Sequence, residues 1–171
     1  GDGIYTAVGY AASNVHMFEG DNSITINDTS ESTKAAENIL AEFQKLSDKP
    51  IARMICIHSH RDHISGATVF AQGMDVPILA HHGFKSDLVA VSDNVPAPNM
   101  AMGRRTQAQF GIALSGEERI SLGCGPGDRP MQGLGAGFLR PTQFIDADCD
   151  LDLDGVQARL IFAPGETAAH I

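Results

Sequence analysis

The chain has 171 residues, which is enough for one ordinary domain with a buried hydrophobic core. Hydrophobic residues make up 43% of the sequence and charged residues 19%, as is typical of a globular protein. The net charge of −9 argues against nucleic acid or an anionic membrane as a partner, and no apolar run approaches the length of a membrane span.

The first part of the chain predicts an antiparallel run of strands followed by a helix. The three strand-like segments cover residues 4–8, 14–18 and 23–26. Apolar residues then recur every three or four positions across 32–47, which predicts an amphipathic helix capped by Ser30 or Ser32. The apolar run 54–57 follows as a buried strand. A strand, a helix and a strand with a short return predict a right-handed parallel crossover.

A histidine-rich motif comes directly after that strand. Residues 58–63 read His-Ser-His-Arg-Asp-His, which places three imidazoles and a carboxylate within six positions. Open α/β sheets place their sites in loops that leave the carboxyl ends of strands. Because residues i and i+2 of an extended segment point the same way, His58 and His60 can converge on one cation, while Asp62 and His63 can reach a second. These ligands favour zinc, with iron or manganese as alternatives.

The middle of the chain predicts fewer regular elements. Residues 66–71 predict a short helix and 76–80 the next parallel strand. His81 and His82 follow in a loop, where we expect them to border the cleft, with metal coordination as the less favoured alternative. Residues 92–141 are poorly periodic and partly glycine-rich, apart from a helical pattern over 100–110, and we interpret them as an insertion that covers the site.

The end of the chain predicts a β-hairpin around the turn Asp154-Gly155. The strand-like segments are 142–145, 151–153 and 156–162. The last of them leads into Pro164-Gly165-Glu166-Thr167, so Glu166, like His58, follows the end of a strand.

Several of these features together resemble the metallo-β-lactamase superfamily. They are the strand-ending Asp28, the helix, the next strand and the motif His58-x-His60-x-Asp62-His63. In that superfamily a later Pro-Gly-His-Thr turn supplies a third histidine to the first metal site, and here glutamate stands in its place at position 166. That glutamate resembles the alkylsulfatase branch. Further resemblance to this branch lies in Gly1-Asp2-Gly3-Ile4-Tyr5, in Asn99-Met100-Ala101-Met102-Gly103-Arg104-Arg105, in Arg140-Pro141-Thr142 and in Asp154-Gly155-Val156.

The resemblance implies an α/β fold, the αββα sandwich of the superfamily, with this chain holding the first βα layer and the start of the second. It implies a first zinc bound by His58, His60 and Glu166. It implies a second zinc bound by Asp62 and His63, with Asp28 steadying the metal loop through hydrogen bonds.

The resemblance also implies parts that lie beyond position 171. In the superfamily a bridging carboxylate and a further histidine for the second metal come later, and alkylsulfatases add a helical dimerisation region and a small lipid-carrier-like domain. We therefore expect residues 1–171 to be a catalytic domain truncated before its remaining metal ligands. The first metal site can close within it and the second cannot, and any homodimer would form through regions not present here.

The implied activity is that of a zinc-dependent hydrolase, which cleaves alkyl sulfate esters with a metal-bound hydroxide and uses Asp62 as a catalytic residue. Arg104 and Arg105 are candidates for anchoring the sulfate, with Asn99 as a neutral donor. A surface or helix-packing role is the alternative for the two arginines. Many alkylsulfatases carry Tyr-Met-Tyr-Gly where this chain has Ala108-Gln109-Phe110-Gly111, so the substrate pocket differs in detail.

Two other functions stay open at the level of the sequence. One is another hydrolase of the same superfamily, acting on a lactam, a thioester or a phosphodiester. The other is a non-catalytic metal-binding fragment whose partner supplies the missing ligands. The residues fix no compartment: the resemblance is compatible with a periplasmic or secreted protein and also with a cytoplasmic one.

Overall fold

The computed structural model describes residues 3–84, 107–109, 111, 113–115, 117–118 and 132–171. These residues form a six-stranded mixed sheet with the strand order β1-β2-β3-β4-β5-β6. The strands are β1 (Ile4–Ala7), β2 (Val15–Glu19), β3 (Ile24–Asn27), β4 (Ile51–Ile55), β5 (Ile78–His81) and β6 (Gln143–Ile145). The first three strands pair antiparallel, and β3 to β6 pair parallel. The predicted antiparallel run and the predicted parallel crossover are both confirmed.

Helix α1 (Thr33–Phe43) connects β3 to β4. Its N-cap is Ser32, whose hydroxyl accepts a hydrogen bond from the backbone N–H of Ala35 at 3.1 Å, so one of the two predicted caps is confirmed. The predicted end of the helix at residue 47 was wrong. The last turn tightens instead, with the N–H of Leu46 donating to the carbonyl of Phe43 at 2.9 Å, so the α-helix ends at Phe43.

The two faces of the sheet bury different partners. On one face, Met17, Ile26 and Met54 pack with residues of α1 and of the short helix α3 (Ala67–Ala71), including Phe70. Each such side chain, fully buried, contributes roughly 1.5–3 kcal/mol to folding. The opposite face carries Ile55 and Leu79, since neighbouring residues of a strand point to opposite sides.

A hairpin covers that opposite face. It consists of β7 (Cys149–Leu153) and β8 (Val156–Leu160), which pair antiparallel, and its Leu153 packs against Ile55 and Leu79. The predicted hairpin is confirmed, although β7 begins two residues earlier and β8 ends two residues earlier than the pattern indicated. One helical layer, one sheet and the start of a second sheet are therefore present, as expected for part of an αββα sandwich.

Strands β4 and β5 end at residues other than those predicted from the sequence. Strand β4 ends at Ile55, so Cys56 and Ile57 lie in the loop and not in the strand. The reason is that the N–H of Ile57 donates to the carboxylate of Asp28 at 3.1 Å instead of continuing the ladder. Strand β5 extends through His81, which therefore lies in the strand and not in the predicted loop.

Most of the predicted insertion at 92–141 lies outside the described residues, and so does most of the helical pattern over 100–110, of which 107–109 are described and helical. No helix in the part of the chain that the structure describes has both the length and the apolar character to cross a bilayer.

Candidate metal centre

Two loops at the carboxyl edge of the sheet bring three metal-ligating side chains together. His58 and His60 come from the loop after β4, and Glu166 comes from the segment after β8. The Nε2 atom of His58 lies 3.6 Å from one carboxylate oxygen of Glu166, and the Nδ1 atom of His60 lies 3.1 Å from the other. Donors at 2.0–2.2 Å from a tetrahedral zinc ion stand about 3.4 Å apart. The two distances to Glu166 are close to this value and all three donor atoms lie within 4.8 Å of one another, so the group could hold a single cation.

The state of His58 supports the same interpretation. Its side chain is 1% exposed, and neither ring nitrogen has a hydrogen-bond partner among the described residues. A buried polar atom without a partner is unfavourable, and a cation between His58 and Glu166 would give Nε2 one. Burial is the main cause that lowers the pKa of His58 to about 4, followed by the neighbouring His63 and His60. The imidazole is thus neutral near pH 7, with a lone pair available to a metal.

Asp62 and His63 form a second group beside the first. The short helix α2 (Arg61–Ile64) carries both residues, and the Nε2 atom of His63 lies 3.3 Å from the carboxylate of Asp62. The Nδ1 atom of His63 points the other way and lies 2.7 Å from the carboxylate of Asp28. Because Asp28 occupies Nδ1, the Nε2 atom is the one that His63 can offer to a metal.

The carboxylate of Asp28 links the end of β3 to the loop and helix that follow β4. One oxygen contacts His63 and the other accepts a hydrogen bond from the backbone N–H of Ile57, the residue before His58. Asp28 is 1% exposed and adopts a left-handed backbone conformation with φ of 59°, which Asp and Asn tolerate better than most residues. Its position orders the metal loop without being part of the donor group.

The protonation of these carboxylates and of His63 is coupled. Burial raises the pKa of Asp28, while its hydrogen bond with His63 opposes that change. Burial alone would lower the pKa of His63, but the hydrogen bonds with Asp28 and Asp62 outweigh it and raise the pKa to about 10. Because the pKa values of both Asp28 and His63 are raised, the two groups share a proton and titrate as a pair. Burial alone would also raise the pKa of Asp62, but the hydrogen bond with His63 reverses this and lowers it.

Backbone hydrogen bonds hold Glu166 in place. We call residues 163–171 the Glu166 loop. The N–H of Ala163 donates to the carbonyl of His170 at 3.0 Å, which closes the loop on itself. The N–H of Ile171 donates to the carbonyl of Ile57 at 3.0 Å, which ties the loop to the residue before His58. These main-chain contacts anchor the loop that carries Glu166 beside the histidines, while the Glu166 side chain is 57% exposed.

The structure brings together six of the residues singled out from the sequence: Asp28, His58, His60, Asp62, His63 and Glu166. The proposed sulfate anchors Asn99, Arg104 and Arg105 lie outside the described residues. His81 and His82 contact each other, with ring centroids 4.5 Å apart, and neither belongs to the three-residue donor group found among the described residues.

One residue of the site escaped the sequence analysis. The ring of His170 stacks on that of His58, with centroids 4.7 Å apart and an angle of 13° between the planes. The only available signal was its position four residues after Glu166, and spacing within an irregular loop does not predict ring stacking.

No family model matches the sequence, but curated proteins do. The linear primary-alkylsulfatase of Pseudomonas sp. (strain ATCC 19151) is 31% identical over 160 residues, which cover 91% of this chain and 30% of that protein. The alkyl/aryl-sulfatase BDS1 of Saccharomyces cerevisiae (strain ATCC 204508 / S288c) is 33% identical over 174 residues, which cover 98% of this chain and 26% of that protein. The chain thus spans 30% or less of the length of these two relatives.

Solved structures establish the fold. The stereoselective inverting sec-alkylsulfatase Pisa1 from Pseudomonas sp. superposes with a TM-score of 0.69 at 24% identity, over 98% of this chain and 27% of that one. A metallo-β-lactamase family protein from Thermus thermophilus superposes with a TM-score of 0.60 at 18% identity, over 98% of this chain and 54% of that one. These superpositions show the metallo-β-lactamase fold, and the sequence identity to the two alkylsulfatases makes the chain similar to that branch of the superfamily.

Proposed function

We propose that residues 1–171 form part of the catalytic domain of a zinc-dependent hydrolase that cleaves alkyl sulfate esters. The observation that carries the proposal is the approach of the Glu166 carboxylate to His58 and His60. The imidazole of His58 is buried and has no hydrogen-bond partner among the described residues. The similarity to proteins named alkylsulfatases supports the substrate class, a sulfate ester with an alkyl chain.

His58, His60 and Glu166 would hold the first zinc ion. Asp62 and His63 would contribute to a second ion, together with ligands that the described residues do not supply. Zinc at such a site supplies Lewis acidity and lowers the pKa of a bound water toward neutrality. Imidazole and carboxylate ligands bind zinc in their deprotonated forms, so we expect zinc affinity to weaken as the pH falls.

The protein side chains would contribute in three ways. The carboxylate of Asp62 would accept a hydrogen bond from the attacking water. Asp28 orients the ring of His63 through Nδ1. Arg104 and Arg105, with Asn99, would bind the sulfate oxygens through charge-assisted hydrogen bonds. Hydrolysis consumes one water and releases the alcohol and hydrogen sulfate, so no further reactant is required.

The test is hydrolysis of dodecyl sulfate by the zinc-loaded protein, measured as sulfate released. We expect chelation of the metal to abolish turnover and zinc to restore it. We also expect His60→Ala and Glu166→Gln to lower turnover by more than about 100-fold, since residues that merely support metal ligands already cost 10–100-fold. Matched controls are His82→Ala and Glu37→Gln, which remove an imidazole and a carboxylate outside the donor group.

Full activity in Glu166→Gln would contradict the proposed site. The substrate class is tested separately with a β-lactam, a thioester and a phosphodiester at equal protein concentration. Faster turnover of any of these than of the sulfate ester would overturn the sulfatase assignment and leave the metal site standing.

A further inference from the structure

Two histidines of the site, His58 and His63, are supported in different ways. A metal-ligating histidine usually donates its second ring nitrogen to a carboxylate or a carbonyl, which fixes the orientation of the ring. His63 has such a partner, because its Nδ1 atom lies 2.7 Å from the carboxylate of Asp28. His58 has none among the described residues, since its Nδ1 atom is buried without a hydrogen bond. Another contact must therefore hold the ring of His58 with Nε2 toward Glu166.

Ring packing is available to do this. The rings of His60, His63 and His170 all lie near that of His58, with centroids 4.8, 4.0 and 4.7 Å away. His60 meets it edge-on at 75° and His63 at a tilt of 53°, whereas His170 lies nearly parallel at 13°. A parallel neighbour covers the face of a ring and resists rotation about the Cβ–Cγ bond, because any rotation drives the ring edge into the covering ring.

We propose that His170 is a positioning residue, which fixes the imidazole of His58 by ring stacking and so directs Nε2 at the metal and at Glu166. This inference rests on the proposed metal site and deepens it. His170 does not need to ligate the metal, and the flat ring matters here while its nitrogen atoms do not.

The loop that carries His170 explains why the two roles occur together. Glu166 and His170 both belong to the Glu166 loop, whose ends are fixed by the hydrogen bonds from Ala163 to His170 and from Ile171 to Ile57. The contact from Ile171 is made next to both His58 and His170 in sequence. One loop therefore supplies both a proposed metal ligand and the stacking partner of another ligand.

The test compares three forms of the chain: wild type, His170→Ala and His170→Phe. Zinc affinity is measured by competition with a chromophoric chelator, and the absorption spectrum of the cobalt-substituted protein reports the ligand geometry. We expect His170→Ala to weaken zinc binding by about tenfold and to alter the cobalt spectrum, as loss of a residue that orients a ligand does. We expect His170→Phe, which keeps a flat ring but has no nitrogen, to bind zinc with nearly the wild-type affinity.

Controls separate this inference from the proposed function. His82→Ala removes an imidazole outside the donor group and should leave zinc affinity unchanged, and circular dichroism shows whether each variant is folded. Wild-type affinity in His170→Ala, or a loss in His170→Phe as large as that in His170→Ala, would overturn the stacking role. Failure of the wild-type chain to bind zinc would instead overturn the proposed metal site itself.

Discussion

At the scale of single residues, Asp28 shows how the site depends on side chains that do not belong to the donor group. Its buried carboxylate contacts His63 with one oxygen and the N–H of Ile57 with the other. The left-handed backbone at this position restricts the residue to Gly, Asn or Asp without strain. Of these three, Asp alone offers two acceptors to two donors.

Replacing Asp28 by Asn tests this requirement. Asn tolerates the same backbone conformation, but its amide presents one acceptor and one donor, so it cannot accept from both the N–H of Ile57 and a protonated His63. We expect Asp28→Asn to lower the free energy of unfolding of the metal-free protein by roughly 1–3 kcal/mol, because a hydrogen bond between charged groups is replaced by a neutral one or lost. Urea denaturation measures the change, and Asp75→Asn, at an exposed loop position, is the matched control. Equal decreases in the free energy of unfolding in Asp28→Asn and Asp75→Asn would contradict the role assigned to Asp28.

At the scale of elements, a contact between two hairpin turns positions the two-stranded sheet β7-β8 relative to the six-stranded sheet. The turn between β2 and β3 meets the turn between β7 and β8. The N–H of Asp21 donates to the carbonyl of Asp154 at 2.7 Å, and the N–H of Asn22 donates to the Asp154 carboxylate at 2.6 Å. The hydroxyl of Ser23 donates to the same carboxylate at 2.9 Å. Since β8 leads into the Glu166 loop, this contact helps to position Glu166.

Gly20 allows the two turns to approach so closely. A Cβ atom at this position would lie 2.6 Å from the carbonyl oxygens of both Leu153 and Asp154, which is well inside van der Waals contact with backbone. We expect Gly20→Ala to push the hairpin away and to lower the free energy of unfolding by roughly 1–3 kcal/mol, as overpacking usually does. Gly165→Ala is the control in urea denaturation, because its Cβ would meet no atom closer than 3.7 Å. An unchanged free energy of unfolding in Gly20→Ala would show that the turns do not pack as described.

Asp154 makes the same contact dependent on pH. The hydrogen bond from the N–H of Asn22, followed by that from Ser23, lowers the pKa of Asp154 below its ordinary value of 3.8. A carboxyl group whose pKa is lower in the folded state contributes stability above its unfolded pKa and loses it as the pH falls through the folded pKa. We therefore expect wild type to exceed Asp154→Asn in stability above pH 4, with the difference shrinking below the ordinary pKa of 3.8.

The comparison with Asn is well matched because Asn-Gly, like Asp-Gly, favours a turn with two left-handed residues. Asp154 and Gly155 have φ values of 60° and 95°, which Asn and Gly also adopt. Urea denaturation of both proteins from pH 7 down to pH 3 measures the difference. If the difference in free energy of unfolding between the two proteins stays constant over this range, the charge of Asp154 does not contribute to stability.

At the scale of the whole molecule, the contacts between neighbours in sequence were predictable and the contacts between distant segments were not. Apolar periodicity located α1, the parallel crossover and the hairpin within a few residues, since these patterns depend on local geometry. The Asp-Gly pair located the turn for the same reason. The contact between Asn22 and Asp154, and the stacking of His58 and His170, join residues more than 100 positions apart. No local pattern encodes such pairs, and the expected pairing of Glu166 with the histidines came from family resemblance.

At the same scale, the two groups of possible metal ligands differ in how complete they are. The chain covers 54% of the length of a metallo-β-lactamase family protein and includes one complete three-residue donor group among the described residues. Among the described residues the second group has Asp62 and His63. Despite burial, the hydrogen bonds with Asp28 and Asp62 raise the pKa of His63 to about 10, so a metal would have to displace a proton from it. We therefore expect the first group to bind a metal more tightly than the second.

Metal stoichiometry tests this division. We expect the chain to retain about one tightly bound zinc ion after gel filtration, because a stable zinc site requires at least three protein ligands. Native mass spectrometry, with metal analysis of the same sample, gives the count. Glu166→Gln should lower it toward zero, since this change leaves two histidines. Asp62→Asn should leave it unchanged, because Asp62 lies outside the three-residue donor group. Two tightly bound ions in wild type, both lost in Asp62→Asn, would mean that the two groups form one cooperative site within this chain.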